Sequence, residues 1–178
     1  MLIPRRAVPG ATEERRAAGR AARTLVPRRS QALVVTDDRP DPVAIIEASN
    51  EGRVPALVPV RHGRMGVSAF AFYRGSAAIM AGDLARGPST SLRVQLCGDA
   101  HLANFGLYAT PDRNLIFDLN DFDETAKGPF EWDVKRLAAS AVLCGRQNGH
   151  TARQAREAGV AAAAAYRGHI NRLAATRR

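Results

Sequence analysis

Val94-Gln95-Leu96-Cys97-Gly98-Asp99-Ala100-His101-Leu102-Ala103-Asn104-Phe105-Gly106 decides how this chain is read. Leu92 to Cys97 alternates as a strand, with Leu92, Val94 and Leu96 on one face, and the strand delivers a Gly-Asp into a turn. His101 follows Asp99 by two residues and Asn104 by five. Phe105 to Ala109 reads as a second short strand. Thr110-Pro111-Asp112-Arg113-Asn114 is a turn by composition. Leu115 to Leu119 is a third strand, with Leu115, Phe117 and Leu119 alternating against Ile116 and Asp118. A second polar cluster closes the segment: Asp118, Asn120, Asp121, Asp123 and Glu124. The order is strand, loop, strand, turn, strand, loop, with oxygen-bearing side chains in both loops.

Helical patterns lie on either side. After Gly128-Pro129, the spacing predicts a helix over 130–146, with Trp132, Leu137, Ala138, Ala141, Val142 and Leu143 apolar. Thr151 caps an Ala-rich helix over 151–176, whose thin apolar face needs a neighbour to pack on. Upstream, Ser68 caps a helix over 69–86 in which Phe70, Tyr73, Ala77, Met80, Ala81 and Leu84 recur on one face. Gly75 inside it suggests close packing or a kink. Val54 to Val60, with Pro55 and Pro59, is expected to be extended, and Arg61-His62-Gly63-Arg64-Met65 to form a basic turn. Asp41-Pro42 starts a short helix, Asp41 as cap and Pro42 at the first helical position. Residues 1–40 form a basic, mobile N-terminal extension: Arg5, Arg6, Arg15, Arg16, Arg20, Arg23, Arg28 and Arg29 are opposed only by Glu13 and Glu14, and Thr12 can cap a helix over Glu13 to Arg23. The expected architecture for 41–178 is α+β: a small antiparallel hairpin sheet carrying the ligand loops, packed by the three main helices.

The 178 residues carry a net charge of +9, almost all of it arginine, since the only lysines are Lys127 and Lys135. No aromatic residues interleave the basic clusters as stacking platforms, so nucleic acid is not an expected partner. Cys97 and Cys144 form neither a metal-type nor a redox-type pair, which points to a reducing cytoplasm. No stretch reads as a signal peptide or a membrane span.

The two polar loops suit phosphoryl transfer. That chemistry needs a carboxylate to orient the acceptor hydroxyl, oxygen ligands that bridge Mg²⁺ to the phosphates, and cationic help for the leaving group. Asp99 at a strand-end turn serves as the base; Asn104 and Asp121 serve as metal ligands, a neutral amide and a carboxylate that suit a hard cation. His101, Asp118 and Asp123 are supporting candidates. Arg74, Arg61 and Arg64 are weaker candidates for phosphate or carboxylate contacts. Asp133, at a helix start, caps it or binds an arginine.

Gly98-Asp99-Ala100-His101-Leu102-Ala103-Asn104 resembles the H-G-D-x-H-x-x-N loop of aminoglycoside- and choline-kinase-like phosphotransferases, and Asp121-Phe122-Asp123 resembles their second motif, related to the D-F-G of protein kinases. Gly128-Pro129, Trp132-Asp133 and Arg136-Leu137 are similar to the helix start that follows it there. Closer still, Val58 to Ala139, nearly half of the chain, resembles a bacterial family known as domain of unknown function 2252. The resemblance rests on Val58-Pro59-Val60-Arg61-His62-Gly63-Arg64-Met65, on Phe70-Ala71-Phe72-Tyr73-Arg74-Gly75, on Gln95 to Gly106 and on Asp118-Leu119-Asn120-Asp121-Phe122-Asp123-Glu124. It implies a partial protein-kinase-like catalytic lobe that uses Mg²⁺ and ATP. It also implies a longer protein, in which a Gly-rich segment and a Lys-bearing strand come after the part seen here.

Two departures bear on activity. Cys97 stands where the kinase-like loop has His, as it does in the family. No G-x-G-x-x-G occurs, and Lys127, expected in a loop, and Lys135, expected on a helix, occupy no strand of the V-A-I-K kind. The expectation is therefore the catalytic half of a Mg²⁺-dependent phosphotransferase of unreadable acceptor, inactive alone, whose partners are a small-molecule phosphate acceptor and a missing C-terminal half or another chain. The alternatives are a metal-dependent phosphoesterase, which needs more His and Asp ligands for two ions, and a non-catalytic fragment or interaction protein.

Overall fold

Why the two polar loops meet follows from how the short strands pair. In the computed structural model, which describes residues 12–175, the elements are α1 (Thr12–Leu25), α2 (Pro42–Ala48), α3 (Val58–Met65), α4 (Ala69–Arg74), α5 (Ala77–Arg86), β1 (Arg93–Leu96), β2 (Phe105–Ala109), β3 (Leu115–Leu119), β4 (Ala126–Pro129), α6 (Glu131–Gln147) and α7 (Ala152–Ala175). Single 3-10 turns fall at Arg28–Ala32, Pro55–Leu57 and Leu102–Asn104. The class is α+β. The readings made for Arg5, Arg6 and Thr176, and for the Thr12 side chain as a cap, lie outside what is described.

The expected hairpin forms: β2 pairs antiparallel with β3, Phe105 opposite Leu119 and Ala109 opposite Leu115, and Arg113 takes a positive φ of 63° in the turn. β1 does not join it. It pairs antiparallel with β4, Arg93 opposite Pro129 and Leu96 opposite Ala126, so among the described residues there are two two-stranded sheets rather than one. The pairing pins the strand before the first loop to the strand after the second. β4 escaped the sequence reading because Ala126-Lys127-Gly128-Pro129 has no apolar alternation. Its fit is steric, since Gly128 is buried against Leu96 and any Cβ there would collide with that side chain. Lys127 therefore stands on a strand, not in the loop expected.

Two further expectations are corrected. Val54 to Met65 is not extended and turned but helical, a 3-10 turn leading into α3, because Pro55 and Pro59 sit in the first turns, where a missing N–H is harmless. The helix expected over 69–86 is broken at Gly75-Ser76 into α4 and α5. At Gly75 an added Cβ would lie 2.6 Å from Met65 Sδ, so the glycine marks where α3 crosses close to α4. Ser68 caps α4, accepting from Ala71 N at 3.0 Å, and Asp41 caps α2, accepting from Val43 N at 2.9 Å.

The core is made of small side chains. Ala77, Ile79, Leu96, Ala100, Ala141 and Ala155 are buried. The Ala-rich face of α7 finds its neighbour in α6, where Gly145 and Gly159 let the backbones approach: a Cβ on Gly159 would lie 2.8 Å from Val142 Cγ2. Thr151 and Gln154 form a reciprocal cap at the start of α7, Thr151 N donating to Gln154 Oε1 at 3.0 Å and Gln154 N to Thr151 Oγ1 at 3.2 Å. Among the described residues no helix is long and apolar enough to cross a membrane.

Candidate active site

β1 ends at Leu96 and the chain turns at Gly98, which has φ +85°. A side chain there would strike the carbonyl oxygen of Glu124, so only glycine lets the two loops pass this closely. Asp133, in the first turn of α6, clamps the turn from beneath. Its carboxylate accepts from Cys97 N at 2.7 Å and from Gly98 N at 3.1 Å. Burial pushes the Asp133 carboxyl above the ordinary range, against the pull of these two amides. Asp133 thus neither caps its own helix nor binds an arginine; it holds the backbone that presents Asp99.

Arg136 lies one turn further along α6 and is nearly fully buried, its side chain 3 % exposed. Its Nε and Nη2 reach Asp99 Oδ1 at 2.6 and 2.5 Å. Nη2 also donates to Tyr73 O at 2.7 Å, Tyr73 Oη donates back to Arg136 O at 2.8 Å, and the guanidinium lies 4.3 Å above the Tyr73 ring. Burial raises the Tyr73 phenol to about 12, which keeps it a neutral donor. His101 is buried, edge-on to Phe70 with centroids 6.4 Å apart, and its Nε2 lies 3.4 Å from Asp99 Oδ2. Its Nδ1 is buried without a hydrogen-bond partner. Burial alone would raise the Asp99 carboxyl. The His101 hydrogen bond and the Arg136 charge outweigh it and hold the group below the usual carboxylate range.

Asn104 ties the loops together. It is 4 % exposed, and its amide nitrogen donates to Asp99 O at 3.1 Å and to Asp121 O at 3.2 Å, one carbonyl from each loop. Asn120 N completes the link by donating to Asn104 O at 2.9 Å. Asp121 is exposed, and its Oδ1 accepts from Asp123 N at 3.1 Å, which fixes the local turn. Asp99, Asn104 and Asp121 line one open cleft, with Asp123 and Glu124 at its edge. Asp118 sits apart on β3, exposed, accepting from Leu119 N at 2.8 Å.

Arg53, Arg61, Arg64 and Arg74 line the same cleft as Asp99, Asn104 and Asp121. Arg61 donates to Asn50 Oδ1 and Gly75 O, both at 3.0 Å. Arg64 and Arg74 are exposed. Arg53, the clamp that Asp133 makes on Cys97 N and Gly98 N, and the Asp99–Arg136 pair are the additions over the sequence reading. One signal was available: Asp133 and Arg136 are three apart, so they share a helix face and meet the same loop.

The donor chemistry suits Mg²⁺. Among the described residues no three His, Cys, Asp or Glu side chains converge to hold a metal. The amide of Asn104 and the carboxylate of Asp121 are hard oxygen donors beside one cleft, the sparse protein share that Mg²⁺ takes when waters and ligand phosphates fill the rest.

Residues 53–178 match the family model described as uncharacterized protein conserved in bacteria (DUF2252). No curated protein and no solved structure matches the chain.

Proposed function

This chain belongs to the bacterial family DUF2252, and from that premise we propose that the cleft of Asp99, Asn104 and Asp121 is the base-and-metal half of a kinase-like, Mg²⁺-dependent phosphotransferase. The observation that carries the reading is Asn104, whose one amide nitrogen binds a backbone carbonyl from each polar loop. Those two hydrogen bonds support a reading in which the candidate base Asp99 and the candidate metal ligands Asn104 and Asp121 work together, although Asp121 comes from the second loop.

In this reading Asn104 and Asp121 hold Mg²⁺, which when bound neutralises phosphate charge. Asp99 Oδ2, which Arg136 leaves unbonded and which lies 3.4 Å from His101 Nε2, accepts the hydrogen bond of an acceptor hydroxyl in this reading. The hydroxyl oxygen forms the new bond to the terminal phosphorus of ATP, the bond from that phosphorus to the bridging oxygen breaks, and the hydroxyl proton passes to Asp99. Because Arg136 and His101 depress the basicity of Asp99, its main work is orientation, with proton transfer late in the step. Asp133 and Arg136 act through Asp99 as positioning residues.

A nucleotide clamp is not recognisable in these 178 residues: no G-x-G-x-x-G occurs, and the lysines stand on β4 and α6. The clamp in this reading comes from a further segment or another chain, so this chain alone binds but does not turn over. Cys97 is buried and Cys144 partly so, both as thiols, and we place the protein in a reducing cytoplasm. The test is calorimetric titration of ATP with and without Mg²⁺. Binding should depend on Mg²⁺ in the parent chain and lose that dependence in Asp121→Ala; a Mg²⁺ response unchanged by the substitution sinks the assignment.

A further inference from the structure

Four arginines crowd one wall of the cleft. Arg53 follows α2, Arg61 and Arg64 stand three apart on α3, and Arg74 ends α4. Some surface guanidiniums find carboxylates, Arg39 and Arg86 on Asp83, Arg20 on Glu13 and Arg153 on Glu157; what sets the cleft arginines apart is that four line one cavity. Among the described residues none of the four wall arginines lies within ion-pair distance of a carboxylate. Arg53 donates to Ser49 O at 2.9 Å, and Arg61 to an amide and a carbonyl oxygen, all neutral acceptors. Arg64 and Arg74 use their donors on no acceptor among the described residues and are exposed to the cleft. Burial and the neighbouring Arg53 both disfavour the charge on Arg61, with Glu124 offsetting them only in part. An anion in the cleft would relieve this crowding.

Building on the phosphotransfer reading of the same cleft, we propose that the α3–α4 wall is an oxyanion site for the phosphoryl groups of a compact phosphate-bearing ligand, gripped by Arg64 and Arg74, with Arg61 a fixed cation behind them. Planar guanidinium forks match phosphoryl oxygens two at a time, and these arginines present more N–H donors than the two oxygens of a carboxylate can take. The acidic part of the lining explains why the ligand is compact. Asp121, Asp123 and Glu124 line the same cavity as Arg53, Arg61 and Arg74, a mixture of charges that repels a continuous phosphate backbone but accommodates a short phosphate chain accompanied by a cation.

The probe is inorganic pyrophosphate, titrated calorimetrically into the full chain without divalent metal. Binding should weaken with salt. Arg64→Ala and Arg74→Ala should each weaken it about tenfold, the scale of one charge-assisted contact, and the double variant should abolish it. Arg156→Ala, an exposed arginine on α7, should leave it unchanged. Absence of pyrophosphate binding by the parent chain, or equal losses in the Arg156 and wall variants, overturns the proposal. ATP binding well above pyrophosphate assigns the wall to a nucleotide; equal affinities assign it to phosphoryl groups whatever carries them. Adding Mg²⁺ separates the two readings: if it strengthens binding in the parent but not in Asp121→Ala, both stand. If it has no effect while the arginine variants still lose binding, the wall stands and the phosphotransfer reading falls.

Discussion

At Asp99 one carboxylate oxygen lies against two nitrogens of a buried guanidinium and the other faces His101. Removing that negative charge leaves Arg136 buried with only Tyr73 O as a polar partner of full strength. Asp99→Asn is therefore expected to destabilise the chain by about 3 kcal/mol near neutral pH, the scale of an orphaned buried charge, as read by urea unfolding. The folded-state value of Asp99 lies below its unfolded one. Its stabilising contribution is therefore present above the unfolded carboxylate range and is lost as pH falls through the depressed value. The acid limb of a stability-against-pH curve should flatten in Asp99→Asn, and an unchanged limb would show that the pair does not form. Asp133 acts with the opposite sign: burial raises its folded value, so between its unfolded and folded values rising pH lowers stability. The sequence named Asp99, Asn104 and Asp121 because spacing to a strand end is local information. It could not name Arg136 as the partner of Asp99, 37 residues away, because only the packing of α6 under the loop brings them together.

The short elements depend on glycines where chains cross. Gly98→Ala would strain a positive φ and press a methyl into the Glu124 carbonyl. Loss of about 2–4 kcal/mol is expected, and because the loop carrying Asp99 must shift, Mg²⁺-dependent ATP binding should fall with it. At the α6–α7 crossing, Gly159→Val should cost about 1–3 kcal/mol by overpacking against Val142 and Ala138. Thermal denaturation followed by far-UV circular dichroism checks it, and a Tm equal to the parent's would contradict the close approach. The caps at Asp41, Ser68 and Thr151 were legible because a cap is written within four residues. The break at Gly75 was legible only as a possibility, since its cause is Met65 on another helix. β4 was illegible because a four-residue strand of Ala, Lys, Gly and Pro has no period of its own; β1 recruits it.

Across the molecule, order should grade from the helical pair outward. α6 packs against α7, α4 and α5, whereas the outward side chains of the hairpin, Leu107, Leu115 and Phe117, are each about two-thirds exposed (66 %, 69 % and 68 %). Native-state hydrogen exchange should therefore find the slowest amides in α6 and earlier opening in β2 and β3; uniform protection would contradict this gradient. By itself the sequence determined the α+β class, the strand–loop–hairpin–loop order, most helix starts and the three polar residues of the cleft, because these are set by periodicity, caps and short spacings. Only the tertiary structure decided that β1 leaves the hairpin for β4, that Asp133 and Arg136 reach up from α6 to fix Asp99, and that Arg53, two arginines of α3 and the last residue of α4 share one cleft. Those outcomes depend on which surfaces exclude water together and which charges then need partners, and neither is written in any contiguous stretch of residues.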